Sequence, residues 1–184
     1  MPSAEPHPGL FHMKWGMPLN SRPTTMLPED LLQPDQISLG DDAGSKKRAL
    51  EHLSELLASG TNAPSAEAIY EKLLERERLG STGMGQGIAL PHARIKGISK
   101  PVGAFIHLRQ GIDFDAMDNK PVDLLFGLLV PEQATDIHLE LLASLARLFS
   151  KPQICAQVRQ AENTAQIMHI FNPPPLADAA SDHS

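Results

Sequence analysis

Apolar residues first recur at helical spacing in 45–59, where Ala49, Leu50, Leu53, Leu56 and Leu57 line one side of an otherwise polar stretch. That period predicts an amphipathic helix. Ser65 stands where it can cap a second helix, with Glu67 in its first turn, Ala68, Ile69, Leu73 and Leu74 as its apolar face, and an end near Leu79-Gly80. The pattern then changes. Residues 88–90, 102–108 and 122–130 are short, nearly continuous apolar runs bounded by Gly, Pro or Asp, as in strands of a sheet covered on both faces. Helical spacing returns over 136–149, with Ile137, Leu141, Leu145 and Leu148 inward, and two shorter helices are expected over 152–160 and 164–171. Helices on both sides of strand-like runs predict an α/β (α+β) fold, a single domain whose central mixed β-sheet of about five strands is flanked by helices on both faces.

The ends of the chain lack either period. Residues 1–25 hold prolines at 2, 6, 8, 18 and 23, so a disordered N-terminal arm is expected there, and a flexible tail over 173–184. The arm has no continuous apolar middle of the kind a secretory signal needs. The folded body is placed at 26–172. Of the 184 residues 22 are acidic and 16 basic, a net charge of -6 that argues against coating nucleic acid or an anionic membrane surface. The single cysteine, Cys155, cannot form an internal disulfide, and the longest apolar stretch, Leu124 to Val130, is far below the roughly 20 residues that span a bilayer. A cytoplasmic location without membrane insertion is the expectation.

The most informative stretch is Gly80-Ser-Thr-Gly-Met-Gly-Gln-Gly-Ile-Ala-Leu-Pro-His92-Ala-Arg94. Its glycines can bring backbone N–H groups near an anion, but their spacing fits neither a P-loop nor a dinucleotide fingerprint. His92 stands apart from the other histidines. Pro91 fixes the backbone before it and an apolar run anchors it to the sheet, whereas His7, His12 and His183 lie in the arms and His52 on the polar side of the first helix. Imidazole is nucleophilic when unprotonated, and it titrates near neutrality, so such a side chain can accept and release a phosphoryl group. A satisfied structural histidine is the plain alternative.

The run Gly-Ile-Ala-Leu-Pro-His-Ala resembles the active-site signature of the fructose/mannitol-type IIA proteins of the bacterial phosphoenolpyruvate-dependent phosphotransferase system. The segment Phe114-Asp-Ala-Met-Asp-Asn-Lys-Pro-Val-Asp-Leu-Leu-Phe-Gly-Leu-Leu-Val-Pro131 is similar to the nitrogen-regulatory branch in particular. The similarity covers residues 27 to 171. It implies that His92 carries phosphate on its distal ring nitrogen, taken from an HPr-like phosphohistidine donor protein. It further implies a regulatory output through sensor kinases or potassium transport components, in a phosphocarrier that is only a stoichiometric intermediate and needs no cofactor.

Two more positions carry over from the family by spacing. The family arginine sixteen residues before the histidine falls on Arg76, and a second active-site histidine forty-six residues after it falls on His138. A guanidinium can hold phosphoryl oxygens in two-point geometry, its alternative being a surface ion pair with Glu75 or Glu77. His138 would lie in the first turn of a helix capped by Thr135 or Asp136, where the positive helix end favours the neutral ring. Ser81 and Thr82 are expected to add hydroxyl contacts to phosphate, with Gly83 beside them. Ala93 and Arg94 depart from the glycine and lysine common in relatives, and Arg94 and Lys96 would bear on donor preference.

Other constellations fare worse. His92, His107 and His138 lack the short ligand spacing that starts a zinc site, and no metal is expected. Asp113, Asp115, Asp118 and Asp123 do not match a calcium loop and read as a solvated segment. Two other functions remain open: a IIA component passing phosphate to a sugar-specific IIB for fructose or mannitol transport, and a binding module that is never phosphorylated.

Overall fold

A computed structural model describes residues 27–173. The arm expected over 1–25 and nearly all of the tail expected over 173–184 fall outside them. Ser45 accepts a hydrogen bond from the Arg48 amide to start α1 (Lys46–Leu57), and Ser65 does the same from Ala68 for α2 (Ala66–Arg78). Each cap satisfies a helix-end donor and is worth about 1 kcal/mol. The two helices lay Ala49, Leu50, Leu53, Leu57, Ile69 and Leu73 on one face of the sheet. On the other face lie α3 (Thr135–Phe149), α4 (Pro152–Gln160) and α5 (Thr164–Phe171).

Between these layers runs a six-stranded mixed sheet: β1 (Ile37–Asp41), β2 (Gly83–Gly85), β3 (Ile88–Ala89), β4 (His92–Ile95), β5 (Val102–Ile112) and β6 (Val122–Pro131), in the order β1-β5-β6-β3-β2 with β4 also on β6. The centre is β6. Its Leu124, Phe126, Leu128 and Val130 pack toward α3 to α5 while Leu125 and Leu129 pack toward α1 and α2, the period-2 alternation of a strand buried on both sides. Phe126 joins Phe105, Phe149 and Phe171 in an aromatic cluster whose ring centroids lie 5.2 to 6.4 Å apart.

The layered α/β arrangement agrees with expectation, with six strands where about five were expected. The additional strands are short or polar. β1 reads Ile-Ser-Leu-Gly-Asp and buries only its two ends, so it carries no alternation; its parallel pairing with β5 holds it. The stretch 83–85, expected to be loop, pairs antiparallel with β3. β3 and β4 are two pieces of one line of pairing on β6: Ile88 lies opposite Leu124 and His92 opposite Leu128, so the register continues through the interruption at Leu90-Pro91.

The acidic segment 113–123 is more than a solvated loop. Asp118 accepts from the Gln86 amide at 2.9 Å, and Asp123 is held bidentately by Arg159 at 2.9 and 2.8 Å, tying the β2–β3 turn to α4. At Gly127 the sheet and α1 approach so closely that a Cβ would sit 2.8 Å from two carbons of Leu53. Gly127→Val is therefore expected to cost about 1–3 kcal/mol by overpacking. Thermal denaturation checks this: an unchanged melting temperature would contradict the close packing of β6 on α1.

Candidate functional site

His92 opens β4, where its side chain and that of Arg94 point outward while Ala93 and Ile95 are buried. Its ring is half-buried and held by two contacts. Nδ1 lies 2.7 Å from the Leu90 carbonyl oxygen, and Nε2 lies 3.2 Å from Nε of Arg76. A carbonyl only accepts and a guanidinium only donates, so both contacts require the proton on Nδ1 and a lone pair on Nε2. Burial first, and the Arg76 cation after it, push the ring below the usual histidine range against the opposing pull of the Leu90 carbonyl and Glu77. The ring is neutral at neutral pH, with its nucleophilic nitrogen facing a cation.

Arg76 comes from the last turn of α2, and its Nη1 also donates to the Gly80 carbonyl at 2.9 Å. The surface pairing with Glu75 or Glu77 is not what it makes. Glu75 is 3.3 Å from Lys72, and Glu77 is turned inward to Lys46 at 2.9 Å. His138 reaches the same place from α3, its ring centroid 5.1 Å from that of His92 at 63°. Its Nε2 is buried and has no hydrogen-bond partner. Burial lowers its affinity for a proton, and His92, Arg94 and Arg76 lower it further. The cap of α3 differs from expectation: Ala134 is the N-cap, with no side-chain cap, and Thr135 is already helical. The Thr135 hydroxyl instead lies 3.5 Å from Arg94 Nη1.

The glycine loop thus brings His92 to Arg76 and His138, while its own hydroxyls turn elsewhere. Ser81 donates to the Phe114 carbonyl at 2.7 Å and Thr82 to Glu77 at 2.6 Å, so the protons expected at a phosphate are engaged within the protein. The Gly83 amide donates to Ser81 Oγ at 3.1 Å. A Cβ at Gly83 would lie 2.9 Å from Ala116 Cα, which makes glycine necessary for the approach of the 113–118 segment. His107 stands apart, 3.9 Å from Asp123, and His52 contacts Asp41.

Sequence reasoning missed Lys46 and Glu77. Glu77 is 6% exposed, accepts from both the amide and the hydroxyl of Thr82, and pairs with Lys46, whose Nζ also lies 3.2 Å from Asp115. A signal was present: Ile69, Leu73 and Glu77 fall at i, i+4 and i+8, which places a carboxylate on the apolar stripe of α2. Lys46 in a first turn, where a cation opposes the helix dipole, is a second such signal. Two surface clefts, one between 57–64 and 97–102 and one beside Arg94 and Lys96, do not include His92.

An α/β sandwich thus places a neutral histidine, a nucleophile in that form, against an arginine and a second imidazole. Residues 30–173 match the family described as phosphoenolpyruvate-dependent sugar phosphotransferase system, EIIA 2, and the chain belongs to that family. It is 44% identical over 142 residues to a nitrogen regulatory protein of Pseudomonas aeruginosa, covering 77% of this chain and 92% of that protein. It is 37% identical over 135 residues to a fructose-specific EIIA component of Haloferax volcanii, covering 73% and 88%. Among solved structures, the nitrogen regulatory protein IIA-Ntr from Neisseria meningitidis superposes with a TM-score of 0.74 at 42% identity, covering 78% of this chain and 97% of that one. IIA mannitol from Escherichia coli, at 20% identity and a TM-score of 0.64, shares the fold. No helix among the described residues is long and apolar enough to cross a membrane.

Since Arg76 disfavours a proton on both rings, Arg76→Gln is expected to raise the titration midpoints of His92 and His138 with the fold intact. NMR titration of the ring protons reads this directly, and midpoints that fall or stay fixed would remove Arg76 from the electrostatics of the site.

Proposed function

We propose that this protein is a histidine phosphocarrier of the nitrogen-related phosphotransferase system, accepting phosphate on His92 from an HPr-like phosphohistidine donor in the cytoplasm. Its phosphorylation state then selects which regulated proteins it binds, sensor kinases and potassium transport components being the classes the family resemblance implies. The observation that carries this reading is the unprotonated Nε2 of His92 facing Arg76 at 3.2 Å. In the transfer, the Nε2 lone pair forms a bond to phosphorus as the donor's P–N bond breaks. The proton on Nδ1 stays with the Leu90 carbonyl, so the positive charge passes from the donor ring to His92 along with the phosphoryl group. Arg76 moves from the ring nitrogen to the phosphoryl oxygens, for which its two-point donor geometry is suited. His138, neutral and carrying its proton on Nε2, donates to another oxygen and is not itself phosphorylated.

A protein donor suits a site flanked by exposed apolar side chains: Leu79 is 85% exposed close to Arg76 in the chain, and Ile137 and Leu139 flank His138 at 47% and 64%. The relative named as a fructose-specific EIIA component supports a second reading, in which the phosphoryl group passes on to a sugar-specific IIB protein.

Incubation with phosphoenolpyruvate, the general first enzyme and the donor is expected to place one acid-labile phosphoryl group on the wild type and none on His92→Ala. Unmodified wild type would defeat the carrier reading, and onward transfer to a fructose or mannitol IIB would favour the second. Arg76→Ala is expected to slow phosphorylation on the order of 100-fold. Because the His92 ring is held below the usual histidine range, the phosphorylation rate is expected to stay flat from pH 8 through neutrality. It falls only in acid, as the ring takes up its proton. A rate already halved near pH 7 contradicts the depressed ring.

A further inference from the structure

We infer that Glu77 is a positioning residue for His92, acting through Thr82 and the backbone of Leu90 to hold the ring in the tautomer that leaves Nε2 free. The inference deepens the carrier reading and rests on it for the consequence on transfer rate.

A continuous set of hydrogen bonds joins the two residues. Lys46 Nζ pairs with Glu77 at 2.9 Å. The Glu77 carboxylate accepts from the Thr82 amide at 3.0 Å and from its hydroxyl at 2.6 Å. The Thr82 carbonyl in turn accepts from the Leu90 amide at 3.1 Å. The Leu90 carbonyl accepts from His92 Nδ1 at 2.7 Å. The ammonium and the amides can only donate, the Thr82 hydroxyl must donate to a carboxylate, and the sense of the last link is set by the carbonyl. Thr82 is therefore pinned from the helix side by a buried charge, and Leu90 is pinned by Thr82.

Leu90 needs such a tether. It precedes a proline, it lies between β3 and β4 where no strand pairing is recorded, and its amide, on the side away from β6, bonds the Thr82 carbonyl. The amide fixed by Thr82 and the carbonyl that meets the ring flank one α-carbon in successive peptide planes, so loosening the amide frees the Leu90 backbone torsions, and a turn of the carbonyl would release the ring to either tautomer. Glu77 suits the task because its charge is compensated by Lys46, which α1 supplies and which also contacts Asp115 at 3.2 Å and stands over the Phe114 ring at 4.8 Å. The charge of Glu77 also acts on the ring itself, favouring the cationic form that phosphorylation creates.

The test combines histidine 15N NMR with transfer kinetics on the full chain. Wild type is expected to show His92 as a single Nδ1–H tautomer. Glu77→Gln and Thr82→Val are each expected to show a mixture of tautomers and phosphorylation slowed about tenfold, with Thr82→Ser restoring both. Loss of melting temperature with the wild-type tautomer and rate preserved would make the network structural only and overturn the inference. So would a wild-type tautomer in folded Thr82→Val together with folded Glu77→Gln, the first being a milder substitution should the second not fold. The tautomer is read without any phosphoryl donor, so failure of wild type to accept phosphate defeats the carrier reading while the NMR result still decides this one.

Discussion

The site depends on the position of one proton. On Nδ1 of His92 it meets the Leu90 carbonyl and leaves a lone pair toward Arg76; on Nε2 it would set N–H against N–H and leave the carbonyl without its donor. Two groups on opposite sides of the ring therefore demand the same tautomer, and burial keeps that ring neutral. Neither contact suffices alone. The carbonyl without Arg76 would orient the ring but, on the carrier reading, leave the phosphoryl oxygens uncompensated, and Arg76 without the carbonyl would leave a ring free to rotate.

The fold provides that carbonyl by interrupting a strand. The β3–β4 line keeps a single register on β6 from Ile88 to Ile95, and at Leu90 both backbone groups face away from β6, the amide to Thr82 and the carbonyl to the His92 ring. Pro91 has no amide to give, and its carbonyl accepts from Leu128 at 2.9 Å, so pairing with β6 resumes at once. The sheet regains its pairing at His92 itself. A side chain at the first residue after such a gap has one neighbour fixed by the ladder and the other fixed by the gap, and this is why its direction is defined although it lies on an edge.

Much of this was legible in the residues and some was not, for physical reasons. Long amphipathic segments such as 46–57 and 135–149 announce themselves because a helix must bury one stripe, and the β6 run does so because a strand covered on both faces is apolar throughout. β1 left no such mark, since a strand held by pairing at the sheet's edge buries only Ile37 and Asp41. Pro91-His92 could be read as an aimed histidine, but its partners are separated from it by sixteen and forty-six residues and met it only through family resemblance. Thr82 illustrates the opposite difficulty. A hydroxyl in a glycine loop is an equally good ligand for an anion outside and a carboxylate inside, and only the inward turn of Glu77 decides between them.

The electrostatics of the site run against those of the chain. The protein carries a net charge of -6, yet the atoms around His92 are cationic or neutral: Arg76 at the ring, Arg94 near His138, and two imidazoles kept unprotonated. The nearest buried carboxylate, Glu77, is already neutralised by Lys46. Such a site has a low affinity for protons and, on the carrier reading, a high affinity for an anion, two properties that the same positive field produces together. The unpartnered Nε2 of His138 follows the same logic. A buried polar atom without a partner costs about 1–3 kcal/mol, a cost that a structural histidine would avoid by turning to water or to a neighbouring oxygen. On the carrier reading, with its proton on Nε2 and its ring 5.1 Å from that of His92, His138 would gain its missing acceptor from the phosphoryl group, so that part of the destabilisation carried by the free protein becomes stabilisation of the phosphorylated one.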